Sequence, residues 1–122
     1  MNIEIVTYLN QTIAVVSGER VITDVQSALD LMMTVKYTAG TNLLAIEKEA
    51  ITEDFFRLST GLAGEVLQKF INYRIKVAIY GDFSGYTSKP LHDFIYESNN
   101  GRDVFFTATR EEAVKVLAER AE

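Results

Sequence analysis

Two short stretches hold the side chains with the most chemistry in them. In RLSTGLAGEVLQKF (Arg57–Phe70), Ser59 and Thr60 stand just ahead of Gly61, Gly64 and an apolar helical stripe. Hydroxyls at that point have three uses. They cap the helix by accepting its first backbone N–H groups. They accept a phosphate, which is favoured at a helix N-terminus yet adds charge to any contact surface there. Or they help cradle an anion. In GDFSGYTSK (Gly81–Lys89), Asp82, Ser84, Tyr86, Ser88 and Lys89 follow a short apolar run. If that run is a buried parallel strand, the loop lies where open α/β sheets bind ligands, beyond the strand C-termini. Lys89 and the next helix N-terminus would attract an anion together, and Ser84 or Tyr86 would orient it. Glu47 and Ser59 would join them. The plainer account of this stretch is a turn followed by a helix cap.

Sharper chemistries fail on spacing. The loop lacks a Gly-Lys-Ser/Thr at the distance a phosphate-binding loop needs, and it reads G-x-x-S-G instead of the G-x-S-x-G of a nucleophile elbow. Gly61 and Gly64 alone make no dinucleotide fingerprint. Asp82, Ser84 and His92 are the residue types of a hydrolytic triad. However, His92, the only histidine, stands within the helix after Ser84, at i,i+4 from Tyr96, and reads as a surface residue. Glu47, Glu49, Asp54 and Asp82 show no metal-ligand spacing. Lys48, Arg57, Lys89 and Arg102 would form at most a small cationic rim. No catalytic residue, metal or cofactor is expected.

These residues must be positioned by a regular alternation of elements. Asn2–Leu9 and Thr12–Ser17 read as strands joined through a turn at Asn10-Gln11, followed by a short extended piece at Val21-Ile22. Thr23, with Gln26 three residues later, reads as a capping box opening a helix that Gly40 ends. Asn42–Glu47 and Lys76–Gly81 are short apolar runs typical of strands buried on both faces. Thr52 caps a short turn. The helix after Ser59-Thr60 lines up Leu62, Val66, Leu67, Phe70 and Ile71 on one face. Ser88 or Lys89 opens the next helix, with Pro90 near its first position. Asp103–Ala108 is the last strand, and Thr109 with Glu112 opens the last helix. The order β-β-α-β-α-β-α-β-α implies a mainly parallel α/β sheet with an antiparallel N-terminal edge strand, and it predicts that the strands at Asn42–Glu47 and Lys76–Gly81 pair side by side.

The 122 residues suit one domain, 1–122, with a core of its own. The absence of Cys excludes disulfides and a catalytic thiol and fits a reducing cytoplasm. MNIEIVTYLN is not a signal peptide, and no apolar run approaches the roughly 18 residues of a membrane span. A net charge of −5 argues against nucleic acid as a partner.

Two resemblances add to this reading. The stretch FFRLSTGLAGEVLQKFINYRIKVAIYGDFS (Phe55–Ser84) is similar to STAS domains, the fold of bacterial anti-sigma-factor antagonists. There an Asp-Ser-Ser-Gly-Leu segment opens an amphipathic helix that leads into a buried strand. Ser59-Thr60-Gly61-Leu62 fills that segment, with Leu58 where that family has its acid. Pro90–Leu117 follows the same outline. YGDFSGYTSKPLHDFIYESNNG (Tyr80–Gly101) resembles bacterial proteins of domain-of-unknown-function family 4180, which carries no established activity. The STAS likeness implies a non-catalytic cytoplasmic regulatory domain that binds another protein, with Ser59 or Thr60 as contact or phosphoacceptor residues. The alternative is a small-ligand domain that takes an anion or nucleotide through Asp82, Ser84, Tyr86, Ser88 and Lys89. A homodimer is compatible with either.

Overall fold

The computed structural model describes residues 2–121. Within them the chain forms five strands and four α-helices in the expected order: β1 (Asn2–Tyr8), β2 (Gln11–Ser17), α1 (Val25–Met33), β3 (Leu43–Glu47), α2 (Leu62–Asn72), β4 (Lys76–Tyr80), α3 (Lys89–Asn99), β5 (Val104–Thr107) and α4 (Arg110–Arg120). The sheet order is β1-β2-β3-β4-β5. β1 runs antiparallel to β2, and every other pair is parallel. β3 and β4 are neighbours from Leu43↔Lys76 to Glu47↔Tyr80, as the two apolar runs predict.

Strand order follows chain order, so the three parallel crossovers step in one direction. Crossovers of one hand then deliver their helices to one face. Ala14, Val16, Leu44, Ile46, Val77, Ile79, Val104 and Phe106 bury against α1, α2 and α3 on that face. The alternate residues Ile13, Val15, Leu43, Ala45, Ala78 and Phe105 face the other way, where Ala113, Val114, Leu117 and Ala118 of α4 cover them. A sheet wound this way has no reversal of strand order, and so lacks the crevice that a reversal opens in doubly wound sheets. Among the described residues, no polar or charged residue is buried and no helix is long and apolar enough to cross a membrane.

Several local expectations shift. The hairpin turns at Leu9-Asn10, not Asn10-Gln11: both have positive φ (51° and 63°), and Gln11 pairs with Tyr8. A two-residue turn of this hand matches the twist of the strands, which outweighs the strain at Leu9. The first helix is capped by Asp24, not Thr23. Asp24 Oδ1 accepts from Ser27 N (2.8 Å), and Ser27 Oγ accepts from Asp24 N (3.0 Å). A carboxylate is the better acceptor at the positive end of the helix dipole, and Gln26 is left to donate to Asp30. The helix then widens into a π turn over Thr34–Thr38 before Gly40. Thr52 makes no side-chain cap, and three 3₁₀ turns (Lys48–Ala50, Glu53–Phe56, Leu58–Thr60) fill the β3–α2 connection. Ser88 caps α3, and Thr109 caps α4 by accepting from Glu112 N (3.2 Å). The Glu112 carboxylate accepts from the Thr109 hydroxyl.

Two glycines have opposite surroundings. Gly81 follows β4 with φ +156°, and a Cβ there would lie 2.8 Å from Lys48 Cβ. Gly64, inside α2, faces open space, so close packing does not explain it. Gly81→Ala should therefore cost about 1–3 kcal/mol by overpacking. Gly64→Ala should gain roughly 0.5–1 kcal/mol, as alanine does over glycine in a helix. Urea unfolding of the two variants checks the opposite signs.

Candidate functional site

The loops that leave β3 and β4 meet at the strand C-terminal edge, and Lys48 is the residue that joins them. It follows β3 directly, and its stem crosses the bare backbone of Gly81. The ammonium lies 5.0 Å from the centre of the Tyr86 ring and 5.6 Å from that of Phe56. It donates to Glu53 Oε1 at 3.3 Å. The Tyr86 hydroxyl donates to the same carboxylate, 3.0 and 2.9 Å from its two oxygens. Phe56 stacks on Tyr86 with centroids 5.5 Å apart, and Phe83 leans edge-on against Phe106 of β5 at 5.5 Å. A cation thus rests on two aromatic faces while an acid satisfies both the cation and the phenol.

Charge states follow from these contacts. Desolvation pushes the Glu53 carboxyl up, but the Tyr86 and Lys48 donors outweigh it and hold the group below the ordinary range. Desolvation likewise opposes the Lys48 charge, and Tyr86 and Glu53 more than offset it, so the ammonium is held above its usual value. Desolvation raises Tyr86 as well, with Glu53 adding to the rise and Lys48 opposing it. At neutral pH the trio is therefore ammonium, carboxylate and neutral phenol. Lys48 has no free lone pair for nucleophilic attack. This is a clamp that fixes two loops.

The rest of the Gly81–Lys89 loop is also tied to itself. Asp82 Oδ1 accepts from Ser84 N (2.9 Å) and Ser84 Oγ (2.6 Å), an Asx turn that keeps the Asp82 carboxyl low. Ser88 Oγ accepts from Leu91 N. Lys89 turns along its own helix to Asp93 at 2.7 Å. Tyr86 alone of the five joins Lys48; the candidates do not converge on one point. His92 Nε2 lies 2.6 Å from the Tyr86 carbonyl oxygen, so that nitrogen carries the proton and donates. The Ser84 hydroxyl is directed to Asp82 and not to His92, so these three residues do not have triad geometry. Glu47 accepts from Gly18 N at 2.9 Å, pinning the loop after β2.

Ser59 and Thr60 lie in the last 3₁₀ turn before α2 and have different surroundings. The Thr60 hydroxyl is 2.8 Å from the Asp54 carbonyl and 2.9 Å from that of Arg57, and it accepts from Leu62 N at 3.2 Å. It performs the structural task. The cap position itself is Gly61, at φ +80°. Ser59 is exposed, and its hydroxyl makes no hydrogen bond within the described residues.

The family model for a domain of unknown function, DUF4180, matches residues 9–117, from the hairpin turn into α4. The chain belongs to the DUF4180 family. No curated protein matches it. The matched DUF4180 span contains every residue of the clamp and both hydroxyls of the Ser59-Thr60 turn.

Sequence reasoning missed Glu53, Phe56 and Phe83 as parts of this site. Lys48 and Glu53 are five apart, a spacing that belongs to neither helix nor strand. The Glu53–Tyr86 contact spans 33 positions and exists only once β3 and β4 pair. The available signal was the apolar and acidic density of TEDFF (Thr52–Phe56) between two elements.

Removing the Tyr86 hydroxyl leaves the ring stack and leaves Glu53 held by Lys48 without the phenol. Tyr86→Phe should lower stability by roughly 0.5–1.5 kcal/mol. The Glu53 contribution has a defined sign. Its folded pKa is depressed, so its stabilisation is complete above the unfolded carboxylate range, about 4.3, and is lost as pH falls through the folded value. Thermal midpoints measured down an acid series should fall less steeply in Tyr86→Phe than in the wild type.

Proposed function

We propose that this chain is a non-catalytic regulatory domain of the bacterial cytoplasm, STAS-like in organisation, that acts through contact with another protein at the start of α2. The division of labour between the two hydroxyls carries the reading. Thr60 is committed to holding the turn, which leaves Ser59 presented outward on a fixed scaffold. An outward hydroxyl on a stiff turn suits a contact point or a phosphoacceptor, because modification there leaves the fold's own hydrogen bonds untouched. Leu58, where STAS domains have an acid, packs against the core and anchors the turn from beneath. The strand-end loops satisfy their own polar groups, which favours a recognition surface over a site built to hold a small ligand.

Phosphate, or a carboxylate imitating it, would add charge to this surface without disturbing the turn. Ser59→Ala should leave stability nearly unchanged, since Ser59 is not the cap. Ser59→Asp should keep the fold but weaken partner capture. The test is affinity capture from the native host lysate with wild type, Ser59→Ala and Ser59→Asp in parallel. A protein retained by wild type and by Ser59→Ala and lost with Ser59→Asp supports the reading. Equal capture by all three removes the α2 start as the contact.

A further inference from the structure

The outer edge of β1 is unpaired within the sheet, and its chemistry fits a second copy of itself. The two-residue turn makes Tyr8 and Gln11 a hydrogen-bonded pair, and such pairs alternate along an antiparallel ladder. The backbone groups of Tyr8, Val6, Glu4 and Asn2 therefore point to β2. Those of Ile3, Ile5 and Thr7 point outward, away from the sheet. The seven residues pair with β2 in an unbroken register, so no bulge twists the edge away. Nor does the strand carry the Pro or Lys that commonly protects an edge. Its one charged side chain, Glu4, is already held by Arg110 at 2.6 Å.

We infer that two copies pair β1 to β1 in antiparallel fashion about a two-fold axis through Ile5, joining their sheets into one. The outward groups fix the register. Ile5 meets Ile5 of the second copy, and Ile3 meets Thr7 in both directions, each as a pair exchanging both backbone hydrogen bonds. This register also uses the whole strand. On one face it brings together the two Ile5 side chains, each 51% exposed in the single chain. On the other face Glu4 lies opposite Val6 and Asn2 opposite Tyr8. The two Glu4 residues approach only diagonally, each beside its own Arg110. No like charges sit directly opposite, so the strand is complementary to itself. A closed two-fold of this kind uses the β1 edge of both copies. At the sheet's other edge the Asn99 side chain already pairs with the N–H and C=O of Phe106 in β5, so the pairing stops at two chains.

Sedimentation equilibrium across a concentration series tests this, with wild type, Ile5→Lys, Ile5→Glu and an equimolar mixture of the two variants. Wild type should pass from the mass of one chain to that of two as concentration rises. Each variant alone should remain a monomer, because identical charges meet on the axis. The mixture should recover the dimer, because opposite charges then meet. Thr7→Pro, which removes an outward N–H and none used by β2, should also be monomeric, and it serves if a residue 5 variant misfolds by circular dichroism. A wild type that stays monomeric at every concentration overturns the proposal. So does a dimer that persists in Ile5→Lys and Thr7→Pro. A mixture that fails to recover the dimer overturns the axis at residue 5.

Discussion

The structure depends on a sheet that must be covered on both faces by helices that can arrive mainly on one. Strands β2 to β5 are parallel and follow chain order, so every crossover helix falls on the same side. The opposite side is left to α4, the helix after the last strand. Ile13, Val15, Ala45, Ala78 and Phe105 point to that side and would face water without it. One helix covers a limited width of sheet. It reaches β1 chiefly through the Arg110–Glu4 pair, and the first strand keeps half-exposed apolar side chains that the central strands do not have.

The same winding sorts the charges. Parallel strands with returning helices put the N-termini of α1, α2 and α3 at the strand C-terminal edge and their C-termini at the other. α4 runs back along the sheet in the same sense as those helices. The helix dipoles then favour acids at one edge and cations at the other. Asp24 caps α1, and Glu111 and Glu112 open α4. At the opposite edge, Lys36 donates to the Tyr73 carbonyl, Lys76 to that of Arg102 and Arg120 to that of Gly101. An open cavity of about 590 Å³ lies at this edge, lined mainly by uncharged residues such as Asn10, Thr41 and Asn42 and by two cations, Arg74 and Lys76. Of those two cations, Lys76 is already engaged by the Arg102 carbonyl and by Asp103 at 3.6 Å.

The architecture was legible because its signals are local. LLAIE and KVAIY are too short and too apolar to be anything but buried strands between amphipathic helices, and Pro90 after Ser88 marks a helix start without ambiguity. Errors appear where two local solutions compete within a residue or two. Thr23 and Asp24 both suit a cap, and charge decides. Asn10 suits either turn frame, and strand twist decides. The site was less legible for a different reason. Asp82, Ser84, Ser88 and Lys89 have the composition of a ligand loop, and composition does not reveal that each already has a partner two to four residues away. Tyr86 is the exception, because its partners come from the end of β3, a distance only the sheet closes.

Stiffness and availability are therefore separated in this fold. Where the connections are long, as between β3 and α2, three 3₁₀ turns, the Lys48 clamp and the Thr60 hydroxyl bind them down. A side chain that points outward from such a segment, as Ser59 does, is held in a defined position without contributing to the hold. That is the condition recognition needs, since an ordered surface loses less conformational freedom on binding than a loose one. The β1 edge meets the same condition by another route: its backbone is fixed by β2 on one side, and its outward N–H and C=O groups are ordered before any partner arrives. The parts of this chain suited to contact are those the fold fixes firmly and does not itself use.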